Sequence, residues 1–357
     1  MNYKVIGLML LGIAMPAKSI ELAILEWEGY ISSFKQDFEA YAISQGKDIT
    51  LTISEDSDNE PVYITNFDDM FHVLRSSKAD IVTPTSSFYN REGGRLYNIL
   101  VPIDRSRLSN VASLSSSLSE SMYDLKDEKH FSVPLIGGSY GLAYNASYVA
   151  APSSWEVLSA PENKGKVSMT DKLIEANGYI AAIMAGTNPK DVYDQKNVDY
   201  DKALKVLQGM RGNTTKYWGG MAMPDDMKNW HYITTYGFGI AAANSEGQDW
   251  KIVIPKEGQT LWLDTIAISS SIRDDKEKLE AAYFLINYML SGEVQAEMTR
   301  MFGSVPVVIN AKEHWSSEEQ QRFNVQSDEF YIEGNLWQAL DKRTSNFYEL
   351  LWNQAGK

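Results

Sequence analysis

A chain of 357 residues is long enough for two packed lobes, and this one carries no cysteine, four well-separated histidines (His72, His130, His231 and His314) and a formal net charge of −14. Zero cysteines exclude disulfides, thiolate metal sites and cysteine nucleophiles, and histidines without HxxxH or HxH spacing offer no metal site. The charge argues against nucleic acid and anionic membrane as partners, both of which need a basic face; its field would favour a cation, though acidity also serves plain solubility.

Lys4, the apolar run from Val5 to Met15 and the small residues Ala17 and Ser19 spell a secretory signal peptide over residues 1–19. The run is too short for a membrane anchor, and no cysteine stands at the cleavage point. A soluble, exported chain starting near Ile20 is expected, with a net charge of about −16 once Lys4 and Lys18 are gone. Residues 19–27 read as a buried strand, and the apolar spacing of Ile31, Phe34, Phe38, Tyr41 and Ala42 predicts a helix over 30–44. A strand at 49–54, a helix at 67–75 and a strand at 79–83 follow. The serine-rich residues 109–121 suit a surface loop or a short capped helix.

Two short strands, 131–135 and 141–144, flank a flexible Gly137-Gly138-Ser139, where a crossing between lobes is expected. Further strands are predicted at 166–169, 231–235, 251–254 and 261–268, helices at 177–184, 202–209 and 276–290, and a last helix opened by Trp337-Gln338. The alternation implies an α/β fold with largely parallel sheets, whose ligands gather beyond the carboxyl ends of strands, after Leu25 and Val82.

No GxSxG, Walker A, GxGxxG or HExxH pattern occurs, and Gly237-Phe238-Gly239 is a bare GxG. Neither an enzyme nor a cofactor is expected. A paired-carboxylate hydrolase stays open as a lower-ranked alternative, because 47 acids offer many pairs and single out none. The informative positions are aromatic residues beside acids at predicted strand ends: Glu26, Trp27, Glu28 and Tyr30; Asp171 and Glu175; Tyr236; Trp262 and Asp264; Trp337 and Gln338. A ring face attracts an ammonium by about 0.5 to 2 kcal/mol, and a carboxylate then fixes it with a charge-assisted hydrogen bond. Spacing two places Trp262 and Asp264 on one face of their strand. Any one such aromatic, taken alone, is more often a core cap.

At these residues the chain resembles the periplasmic polyamine-binding proteins, the spermidine and putrescine receptors of ABC uptake systems. The resemblance runs along the mature chain and is most specific over residues 255–268, PKEGQTLWLDTIAI. It implies that Trp262 stacks on the ligand and Asp264 binds an amine. Trp27 and Tyr30 match the family's first-strand W-x-x-Y, Thr85 and Phe88 follow the third strand, Glu175 matches an end-binding acid beyond Asp171, Tyr236 stands at a cage tryptophan and Gln338 at a glutamine. Gly29 and Lys172 replace residues often acidic, with Glu28 beside the first, and Ser87 and Ser304 replace aromatics.

The resemblance further implies a type II periplasmic-binding-protein fold, with one lobe of residues 20–137 plus 265–303, a second of 138–264 plus 304–357, and a ligand cleft between them. The altered cage is similar to that of a norspermidine-sensing branch. Its implied partner is an inner-membrane cyclic-di-GMP signalling protein; for a transport receptor it is an ABC permease. A monomer is expected.

Overall fold

The computed structural model describes residues 19–357 apart from 57, 220–222, 324–329 and 332–334. The predicted leader, but for Ser19, lies outside the described residues. Among them no helix is long and apolar enough to cross a membrane.

Strands β1 (Ile20–Leu25), β2 (Ile49–Ile53) and β3 (Ile81–Val82) pair in parallel with β1 in the middle, Ile24 lying opposite both Ile53 and Ile81. β-Branched residues suit this pleated, two-sided burial. Then come β4 (Leu100–Val101), the small hairpin of β5 (Leu125–Lys126) and β6 (Lys129–His130), β7 (Val133–Ser139) and β8 (Gly141–Asn145). The rest are β9 (Val167–Thr170), β10 (Thr214–Trp218), β11 (Tyr232–Thr235), β12 (Trp250–Val253) and β13 (Leu261–Ser269). One sheet runs β2-β1-β3-β13-β4 with β7 alongside β13, the other β10-β9-β11-β8-β12. Both are mixed, against the expectation of largely parallel sheets. β7 and β13, which carry the chain between lobes, and β8, which follows β7, pair antiparallel with their neighbours.

Helices Lys35–Ser44 and Lys276–Met289 pack on the first sheet through Phe38, Ala42, Leu285 and Ile286; Ile174–Met184, Tyr200–Asn213 and Lys342–Ala355 pack on the second through Ile180, Leu207, Tyr348 and Leu351. Asp199, Asp275 and Asp341 cap three of these, each accepting a backbone N–H of the first turn. The last helix therefore opens at Lys342, not at Trp337-Gln338, which belong to an extended segment ahead of its aspartate cap.

Two long strands join the lobes. β7 and β13 run antiparallel, with Ile266 opposite Val133 at the first lobe and Leu261 opposite Ser139 toward the second. Gly137 and Gly138 are thus strand residues instead of a flexible spacer. A Cβ on Gly138 would stand 2.9 Å from the Trp262 ring, so the missing side chain is what lets that indole lie flat on the neighbouring strand. A third crossing follows Leu336, which bridges Leu261, while the Trp337 N–H donates to the Leu261 carbonyl at 2.8 Å.

This corrects the expected division. Val305, Val307, Val308, Ala311, Trp315, Tyr331 and Leu336 belong to the first lobe's core, not the second's. They are held there by a Val305–Gly137 bridge and by buried Gln295, which accepts from the Val307 N–H and donates to the Leu135 carbonyl. From this C-terminal stretch, the helix Lys342–Ala355 supplies the residues of the second core.

Candidate ligand-binding cleft

The cleft is built where β1 and β3 end and β13 runs on past them toward the second lobe. Asp264, 6 % exposed, accepts the Thr85 hydroxyl on Oδ1 at 2.6 Å and the Tyr30 hydroxyl on Oδ2 at 2.9 Å. Among the described residues no lysine or arginine pairs with it. Burial outweighs the two hydroxyl bonds and raises its pKa from 3.8 to about 7. Burial, then the charge of Asp264, pushes the Tyr30 phenol well above its ordinary range.

The loop carrying Trp27 and Tyr30 is fixed from behind by Glu26. This carboxylate is fully buried and accepts the backbone N–H groups of Gly29, Ile31 and Ser32, so the chain turns through a short 3₁₀ segment (Ser32–Phe34) before the helix begins at Lys35. Burial raises its pKa against these bonds. The Trp27 ring packs against Phe88 at 6.4 Å, and the Trp27 backbone N–H donates to the Thr83 hydroxyl at 3.0 Å.

Rings enclose the carboxylate. Trp262 meets Phe238 at 5.5 Å and Tyr236 at 6.2 Å, and Tyr236 meets Trp337 edge-on at 6.3 Å. The indole N–H groups of Trp27 and Trp262 and the Tyr236 hydroxyl are buried without a hydrogen-bond partner among the described residues. They supply unused donors at the cleft wall. Glu175, partly exposed in the first turn of Ile174–Met184, comes within electrostatic reach of Tyr236, whose phenol is raised first by burial, then by Tyr140, Asp264 and Glu175. Two carboxylates, one from each lobe, thus bracket one aromatic wall.

The structure therefore gathers Trp27, Tyr30, Thr85, Phe88, Glu175, Tyr236, Trp262 and Asp264. It does not bring in the other three candidates. Glu28 is exposed beside Tyr63, Gln338 is exposed past Trp337, and Asp171 is 47 % exposed with Lys172 beside it at 3.9 Å, the ammonium turned to solvent. In the sequence, Glu26 is noted beside Trp27 without being assigned to the site, and Phe238 and Phe302 are passed over as site residues. Glu26 has a legible signal, an acid between a buried strand and a helix start, where orphan N–H groups collect. The two phenylalanines have none, because their role depends on two distant segments meeting.

Two α/β lobes joined by crossing strands, with a buried anchoring group and aromatic walls at the junction, define a solute-binding protein. The chain belongs to the bacterial extracellular solute-binding protein family, whose profile matches residues 67–324. It is similar to the spermidine/putrescine-binding periplasmic protein 1 of Haemophilus influenzae, 26% identical over 287 residues that cover 77% of this chain and 74% of the relative. It is likewise similar to the spermidine/putrescine-binding periplasmic protein of Escherichia coli, 23% identical over 274 residues, 76% and 75% of the two chains. The fold is that of the spermidine/putrescine ABC transporter substrate-binding protein of Streptococcus pneumoniae, at a TM-score of 0.73 and 20% identity over 95% of this chain and 99% of that one.

Proposed function

We propose that the cleft binds a linear polyamine, norspermidine or spermidine, in the periplasm, and that the liganded protein reports its state to an inner-membrane cyclic-di-GMP signalling protein. The observation carrying the ligand class is Asp264: a buried carboxylate, held by two neutral hydroxyls and walled by aromatic rings, gains most from a cation that supplies both charge and hydrogen bonds. Methylene linkers suit the same ring faces that attract the ammonium groups. The names of the relatives support the ligand class.

The sensing role is supported by the departures in the cage. Gly29 leaves no side chain beside Phe302, Lys172 puts a cation at the rim, and Tyr236 stands in place of an indole. A transport receptor docking on an ABC permease is the second reading, favoured by the same relatives. Calorimetry with putrescine, norspermidine, spermidine and spermine tests the ligand class; absence of heat with all four at millimolar concentration sinks it. Co-purification from membranes then separates the roles, a signalling enzyme supporting the first and permease subunits the second.

A further inference from the structure

One wall of the cleft comes from residues that neither charge pattern nor strand ends single out. Phe302 closes the first-lobe helix Gly292–Phe302, and Phe238 lies in the turn after β11 on the second lobe. Their rings meet edge to face, centroids 6.1 Å apart and planes at 90°. Each is also fixed to the cleft. Phe302 lies edge-on to Tyr30 at 5.7 Å, and Phe238 sits 5.9 Å from Tyr236 and 5.5 Å from Trp262.

Beside the rings the two backbones touch. A Cβ on Gly303 would stand 2.9 Å from the Gly237 carbonyl oxygen, and one on Gly237 would stand 3.3 Å from that of Gly303. Both glycines have positive φ, 63° and 95°, a conformation other residues rarely adopt. Met301 and Gly303 are exposed, whereas Tyr30, Trp262 and Asp264 are buried. The ring pair therefore stands between the cleft floor and solvent, and it presents ring edges and backbone carbonyls.

Resting on the polyamine reading, we infer that the Phe238–Phe302 contact is an end stop that sets the greatest length of amine the cleft accepts. A ligand anchored on Asp264 and growing toward this end meets ring edges from both lobes. An additional aminopropyl unit must part the rings and break the contacts they make with each other and with Tyr30 and Trp262. Phe238 and Phe302 are specificity-determining residues in this sense, and the glycines beside them let the lobes approach closely enough for the rings to meet.

The test is titration calorimetry of the mature chain and its variants with a series of linear amines, from putrescine through norspermidine and spermidine to spermine. The wild-type chain is expected to bind a triamine at least tenfold more tightly than spermine. Phe302→Ala and Phe238→Ala are each expected to shift the spermine-to-triamine ratio toward spermine by at least tenfold, whatever the change in triamine affinity itself. Should the alanine variants fail to fold, Phe302→Leu and Phe238→Leu keep apolar bulk and are expected to shift the ratio at least threefold. A ratio unchanged within twofold in folded variants that bind triamine overturns the end stop and leaves the polyamine reading standing. No binding of any amine by the wild-type chain overturns both.

Discussion

Asp264 holds its proton more tightly than an ordinary carboxylate for one reason, burial, and the two hydroxyls that donate to it only partly offset that. The sign follows. A carboxyl whose folded pKa of about 7 exceeds its ordinary 3.8 stabilises the unliganded fold below the lower value, and that contribution is lost as pH rises through the higher one. The gap is worth roughly 4 kcal/mol at full ionisation, at about 1.36 kcal/mol per pH unit. Asp264→Asn is therefore expected to raise the melting temperature of the unliganded protein at pH 8 while weakening polyamine binding at least tenfold, about 1.4 kcal/mol. A variant no more stable than wild type at pH 8 would show that the carboxylate is not under this load. Because a cation favours the ionised form, wild-type affinity should fall about tenfold between pH 8 and pH 6. Calorimetry in buffers of different ionisation enthalpy should detect proton release near pH 7, and equal heats in all buffers would refute the coupling.

At the level of elements, the site is an assembly of strand ends positioned by what lies behind them. Glu26 ties down three backbone N–H groups, and β7 offers Gly138 as a flat bed for Trp262. Gly138→Ala removes no group that faces a ligand, yet its Cβ would enter the indole ring; a loss of roughly 1 to 3 kcal/mol in stability and a several-fold weaker affinity are expected. Thermal melts and calorimetry on one sample check both, and unchanged affinity would mean that the Trp262 orientation is irrelevant to binding. The same contact shows where the sequence is legible. Periodicity located β1, β2 and the helix Phe67–Arg75 to within a residue or two, since local burial sets their pattern. It read Gly137-Gly138 as a flexible spacer because the reason for those glycines, Trp262 and Tyr331, lies more than 120 residues away in the chain. Val305, Val307, Val308, Ala311, Trp315, Tyr331 and Leu336 went to the wrong lobe on the same ground: a bridge to Gly137 and a hydrogen bond to Gln295 are properties of packing, not of spacing.

For the whole molecule, the acids that the structure leaves outside the cleft gain a different task. Glu28 and Asp171 stand exposed near its two sides, in a chain of net charge −14, too solvated to contribute much to a bound complex but well placed to shape the field at its mouth. A trivalent polyamine approaching such a field is steered, and steering appears in the association rate and fades as salt shortens the Debye length from about 10 Å at 0.1 M to about 3 Å at 1 M. Stopped-flow indole fluorescence, with Trp27 and Trp262 as reporters, should show the on-rate for spermidine falling at least fivefold between low salt and 0.5 M. Replacing Glu28 and Asp171 together by Gln and Asn should lower the on-rate at low salt two- to fivefold, reduce its salt dependence and leave the off-rate within twofold of wild type, the behaviour of rim charges. Asp264→Asn should do the reverse, raising the off-rate while the on-rate changes little. If the double rim variant accelerates dissociation tenfold instead, those acids hold the ligand directly, and the bound cleft closes further around it than the lobes do here.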